Sequence, residues 1–160
     1  MKVSDLMTKP AASCRPETNL AAAGALMWEN DCGILPVLND RQQVIGVITD
    51  RDICIALATR NGRASEITVA DVYTHEPALC SSKDDVQVAL GTMQARKIRR
   101  LPVVDAAGGL EGIVSMNDIV LHAENAAAGK QPDLPWSGAL QTFQAICTHT
   151  ARAKSVSAAA

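Results

Sequence analysis

Two hydrophobic periods alternate along this chain in a fixed order. Val86, Ala89, Leu90 and Met93 fall at i, i+3, i+4 and i+7, the spacing of one buried helix face. Leu20, Ala23, Gly24 and Met27 repeat it. Thr18 and Asp84 stand just before these runs as N-cap candidates. Each helix is followed by two short β-branched runs around a polar turn: ILPVL and VIGVIT about NDRQQ, then LPVV and LEGIV about DAAGG. Such runs predict paired strands. A second helix is predicted to start at Thr49 and at Ser115. Ahead of each unit stand a short helical turn (VSDLM, VADVY) and a brief extended piece (AASC, ALCS).

The same order twice implies an internal repeat. Leu101 lies 66 positions after Leu35, and the same offset relates Gly46 to Gly112, Asp52 to Asp118 and Cys14 to Cys80. VSDLMTKP at 3–10 returns as VADVYTHEP at 69–77. The predicted fold is mixed α/β (α+β), with two copies of β-α-β-β-α related by a pseudo-two-fold axis. Residues 1–65 form the first copy and 66–127 the second. Residues 128–160 hold a linker, a short C-terminal helix and a mobile small-residue tail. Ser137 is the expected cap of that helix, with Leu140, Phe143 and Cys147 on one face.

Composition narrows the function. The 160 residues are 48% hydrophobic and 20% charged, which suits a globular chain with its own core. Aromatic residues make up 2% and the net charge is −2. Neither a base-stacking surface nor an attractive field for nucleic acid is implied. No segment reaches the roughly 20 apolar residues that span a bilayer, so a cytoplasmic protein is expected. The five cysteines are odd in number and irregularly spaced, without CxxC, and read as reduced thiols. Trp28 and Trp136 are expected to pack helix ends.

The stretch GVITDRDI at 46–53, with its counterpart GIVSMNDI at 112–119, is the first candidate for chemistry. Thr49-x-x-Asp52 and Ser115-x-x-Asp118 have the form of a capping box. The same geometry also suits a ligand. A strand delivers the chain to a helix N-terminus with unpaired N–H groups, and a first-turn carboxylate can accept from both hydroxyls of a ribose. The four residues leave both readings open. Phosphate would need cations, and QARKIRRLPV at 94–103 offers Arg96, Lys97, Arg99 and Arg100. The first copy has Asp31, Gly33 and Ile34 where the second has Lys97, Arg99 and Arg100, so the two halves are not equivalent. No GxSxG, GxxxxGK[ST] or GxGxxG occurs, and no catalytic constellation emerges; the chain is expected not to be an enzyme.

The paired LPV segments and paired Gly-apolar-apolar-Thr/Ser-x-x-Asp segments, repeated at one offset, resemble the cystathionine-β-synthase (CBS) domain. Two in tandem look like a Bateman module, and KIRRLPV and TDRDI resemble small stand-alone bacterial members. The resemblance covers about residues 3–60 and 69–125. It implies a ligand cleft between the copies, in which Asp52 and Asp118 hold ribose hydroxyls and Thr49 and Ser115 bond sugar or phosphate. Arg99, Arg100 and Arg51 would face phosphates, and adenine would lie near Ala11, Ala12, Ala78 and Leu79. Asn117 stands where a cation is common, which would weaken one site.

By resemblance the ligand is an adenine nucleotide (AMP, ADP or ATP), or NAD or S-adenosylmethionine, bound as a regulator; no cofactor or metal is required. The expected role is a sensor acting on a separate protein, as a homodimer whose contact uses Leu20, Met27, Val86 and Met93. The alternatives are a ligand-independent dimerisation module and a redox or metal sensor using Cys14, Cys32 or Cys80.

Overall fold

The computed structural model describes residues 1–124 and 132–148. The predicted mobile tail, ARAKSVSAAA at 151–160, and the first part of the linker lie outside these residues. The first unit contains α1 (Leu20–Glu29), β1 (Ile34–Leu38), β2 (Val44–Thr49) and α2 (Asp50–Arg60). After a single 3-10 turn at Val69–Asp71 come β3 (Thr74–His75), β4 (Cys80–Ser81), α3 (Val86–Arg96), β5 (Arg100–Val104), β6 (Leu110–Ser115) and α4 (Met116–His122). Helix α5 (Trp136–Cys147) ends the described chain.

Both LPV segments are strands; β5 is central in its sheet, β4-β5-β6, whereas β1 lies at the edge of β1-β2-β3. β1 pairs antiparallel with β2, from Ile34–Thr49 to Leu38–Val44, with a bulge at Val37/Leu38. β5 and β6 repeat this register, from Arg100–Ser115 to Val104–Leu110, with the bulge at Val103/Val104. On the other side of β5, β4 is parallel, pairing Cys80 with Val103. Its counterpart in the first unit is a single parallel bridge between Cys14 and Val37. Of the helix positions read from the periodicity, Leu20, Ala23 and Met27 on α1 and Val86, Ala89, Leu90 and Met93 on α3 are buried, while Gly24 is only half-buried.

The opening segment of each copy packs on the other copy's core. Val3 and Leu6, in and just after the Val3–Asp5 turn, join the cluster of Val86, Met93, Leu101 and Ile119. Ile67, Val69 and Tyr73 join that of Leu20, Leu35 and Ile48. The backbone shows the same crossing twice: the Val3 N–H donates to the Asp84 carbonyl at 3.0 Å, and the Val69 N–H to the Thr18 carbonyl at 2.8 Å. Thr8 pairs with Ile113, while β3 pairs with β2 at Gly46 and Val47. The hairpin turns also meet, with the Gln43 amide donating to the Ala107 carbonyl at 2.7 Å.

Several local expectations are corrected. The caps are Asn19 and Asp85, one residue later than Thr18 and Asp84. Thr18 accepts instead from the Arg15 N–H, and Asp84 from the Ser81 N–H. α5 starts at Trp136 behind Pro135, so Ser137 is not its cap. It packs on α3 and α4 through Ala139 and Thr142, while Leu140, Phe143 and Cys147 face outward. Trp28 is 88% exposed and packs no helix end. Leu20, Met27, Val86 and Met93 are consumed by the cores and leave no face for a partner.

Candidate functional site

Each of β2 and β6 runs directly into a helix, and both junctions form a complete capping box. Thr49 is extended, with φ −117° and ψ 162°. The Asp52 Oδ2 accepts from its N–H at 2.9 Å and its hydroxyl at 2.7 Å, and the Asp52 N–H returns to Thr49 Oγ1 at 3.2 Å. Ser115 and Asp118 repeat the arrangement at 2.8, 2.6 and 3.3 Å. Aspartate thus fills the place usually taken by Glu or Gln. Each box occupies one carboxylate oxygen. The other oxygen of Asp118 lies 3.4 Å from Thr8 Oγ1, a threonine brought in by the exchanged N-terminal segment.

A cleft of about 260 Å³ opens where the units meet, just below the roughly 300–1,000 Å³ usual for small-molecule sites. Ser115, Asn117 and Asp118 line it from the β6–α4 junction, and Ile113 from β6. Thr8, Pro10, Ala11 and Ala12 come from the exchanged segment, which turns at a cis Lys9–Pro10 peptide. The first unit adds Asn30, Asp31, Cys32 and Ile34, and β5 adds Arg100.

Gly33 gives the Asp50 carboxylate its room, with the Arg100 guanidinium nearby. A Cβ there would lie 2.8 Å from Asp50 Oδ2 and 3.6 Å from the Arg100 guanidinium. The Asp50 side chain turns back on its own helix start, accepting from the Arg51 N–H at 2.7 Å. An alanine there would meet Arg100 only at ordinary contact distance, so it is Asp50 that needs the bare backbone.

Five of the nucleotide-site residues expected from sequence meet in this cleft: Ala11, Ala12, Arg100, Ser115 and Asp118. Thr49 and Asp52 occupy the equivalent junction of the other unit and do not line it. Arg51 and Arg99 are exposed, Leu79 is half-buried, and none of the three contributes to the lining. Sequence reasoning missed Thr8, because nothing local shows that the first ten residues cross to the second unit. It noted Asp31, Ile34 and Asn117 only as departures from symmetry, and did not place Asn30 or Cys32.

Burial raises the Cys14 thiol to about 11 and the Cys80 thiol to about 12, with Glu17 and Asp84 adding to the effect. Both stay protonated near neutral pH, a poor state for a nucleophile or metal ligand. Among the described residues no three His, Cys, Asp or Glu side chains gather as a metal site. No helix among them is long and apolar enough to cross a membrane.

The CBS domain family matches the chain twice, over residues 3–59 and 69–125. The chain belongs to the CBS domain family. This CBS pair is 32% identical over 128 residues to the CBS domain-containing protein YhcV of Bacillus subtilis, covering 79% of this chain and 89% of that one. It is also 32% identical over 128 residues to inosine-5'-monophosphate dehydrogenase of Mycobacterium bovis, covering 80% of this chain. The CBS pair spans only 23% of that enzyme's length. Among solved structures, CBSX2 of Arabidopsis thaliana in complex with AMP is 28% identical with a TM-score of 0.64, covering 75% of this chain and 93% of that one.

Proposed function

We propose that this CBS pair binds an adenine nucleotide in the cleft between its units and acts as a non-catalytic regulator of a separate protein. The ribose hydroxyls donate to the Asp118 carboxylate, a phosphate meets Arg100, and adenine lies against Ala11, Ala12 and Ile113. One observation carries this reading: an acceptor (Asp118), a hydroxyl (Ser115), a guanidinium (Arg100) and a small apolar wall (Ala12) converge from distant parts of the chain on a single cleft. A cap alone would need only Ser115 and Asp118. The AMP complex of CBSX2 adds support.

The test is a thermal-shift panel of AMP, ADP, ATP, NAD and S-adenosylmethionine on protein freed of bound nucleotide. A ligand at about 100 times its Kd that binds only the folded state adds about 2.7 kcal/mol, a clear rise in Tm. No rise with any of them would defeat the reading.

A second reading, a ligand-independent dimerisation module, draws on the closed capping boxes and on exposed apolar side chains. Trp28 on α1, Ile55 on α2, Val88 on α3, Leu121 on α4 and Leu140 on α5 are all open to solvent. In either reading we propose a homodimer built on these side chains, not on the buried helix faces. Light scattering at micromolar concentration tests it, and a monomer mass would count against it.

A further inference from the structure

Asp31 places a negative charge at a helix C-terminus, where the helix dipole favours a positive one. Helix α1 ends in a Schellman motif: the Cys32 N–H donates to the Met27 carbonyl at 2.9 Å, and the Asp31 N–H to that of Trp28 at 3.3 Å. Asp31 is the left-handed residue of the motif, with φ +47°. Glycine and asparagine suit that conformation best. The last carbonyls also place partial negative charge at the helix end, which disfavours a carboxylate there. The equivalent motif on α3 carries Lys97, also left-handed with φ +54°. Its Nζ reaches the Thr148 carbonyl at 2.8 Å. One unit therefore obeys the charge rule at its helix end and the other breaks it, at a residue on the cleft wall. Local rules are most often broken where function requires it.

The cost makes sense as charge selection. Among the residues that line the cleft, Arg100 is the only cation, while Asp31 and Asp118 are both acidic. One guanidinium can pair with one phosphate through two parallel hydrogen bonds. A second or third phosphate would find no further lining cation and would extend beside the Asp31 carboxylate. Asp31 is exposed, so this repulsion is strongest at low ionic strength and weakens as salt screens it. We infer that Asp31 restricts the cleft to adenosine ligands with at most one phosphate and turns polyphosphates away. The inference rests on the proposed reading of the cleft as a nucleotide site.

Cys32 lines the same cleft and reports its occupancy. The experiment is alkylation of the full chain at low ionic strength with EDTA present, reading Cys32 by mass spectrometry against increasing AMP or ATP. The exposed Cys54 and Cys147 serve as unprotected references. AMP should protect Cys32 at a concentration at least tenfold lower than ATP. Asp31→Asn should narrow that gap to threefold or less, by improving ATP, and should melt no lower than the parent. Equal protection by AMP and ATP in the parent, or an unchanged ratio in the variant, would overturn the inference while leaving the nucleotide site intact. ATP protection that appears on adding Mg²⁺ and vanishes in Asp31→Asn would also overturn it, making Asp31 a metal bridge. Failure of every adenosine ligand to protect Cys32 would instead remove the nucleotide reading itself, and the inference with it.

Discussion

Asp118 Oδ2 accepts both the N–H and the hydroxyl of Ser115, at 2.8 and 2.6 Å, while Oδ1 points toward Thr8 Oγ1 at 3.4 Å. One carboxylate thus closes a helix and offers its second oxygen beside the cleft. Capping and the proposed ligand binding are therefore compatible, because different oxygens would serve them. Asp118→Ala should lower stability by about 1 kcal/mol through the lost cap and abolish the nucleotide-induced rise in Tm. Asp52→Ala should cost a similar amount, since its box is the same, yet keep the rise. Melting curves with and without AMP separate the two. The reverse pattern would move the ligand to the Thr49 junction.

The exchange of N-terminal segments depends on two glycines related by the repeat. A Cβ on Gly46 would collide with the Tyr73 ring and lie 2.7 Å from the Thr74 carbonyl oxygen. One on Gly112 would lie 2.8 Å from the Thr8 carbonyl oxygen. Backbone in a paired strand cannot yield as a side-chain tip can. Gly46→Ala and Gly112→Ala should each destabilise by about 1–3 kcal/mol, the usual cost of overpacking, read as a fall in the urea midpoint. Gly24→Ala, with nothing within 4 Å of the new Cβ, should be neutral or slightly stabilising by helix propensity.

The repeat, its strands and its helices were legible because their signals are local and occur twice. ILPVL and RLPVV have the same bulged register, and both hydroxyl-x-x-Asp segments form the same box. What crosses between copies was not legible. VSDLM announces a turn, yet nothing in it says that Val3 belongs with Val86 and not with Leu20. Helix faces were ambiguous where both sides are apolar. On α5, Leu140 and Phe143 share a period, but the close approach to α3 uses the smaller Ala139 and Thr142. The site was half legible for the same reason: Ser115 and Asp118 lie in one motif, whereas Thr8 and Asp31 reach it only through the tertiary fold.

Thr142 is buried, and its hydroxyl ties α5 to α3. It accepts from the Gln94 amide at 2.7 Å and donates to the Gly138 carbonyl at 2.9 Å. At the position equivalent to Gln94 the first unit has the exposed Trp28, so this bond fastens α5 to one unit only. Thr142→Val keeps the volume and strands the Gln94 amide, a loss of about 1–3 kcal/mol. Thr142→Ser should recover most of it. Equal stability of the two variants by denaturant melts would show that Gln94 turns to solvent at no cost.

The buried thiols predict behaviour at alkaline pH. Folding raises Cys14 to about 11 and Cys80 to about 12, chiefly by burial, above an unfolded value of 9.0. Below pH 9 both states hold these protons, and the thiols add no slope. Above it the unfolded chain releases them while the folded chain keeps them, so stability falls as pH rises from 9 through the folded values. Tm should therefore drop over that range, and Cys80→Ala should flatten the drop while lowering Tm overall through the lost packing. Thiol titration at pH 8 gives the kinetic counterpart, because the thiolate is the reactive form. Cys54 and Cys147, both exposed, should react first and Cys32 more slowly. Cys14 and Cys80 should react only on unfolding; rapid reaction of either in the native protein would revive the redox reading.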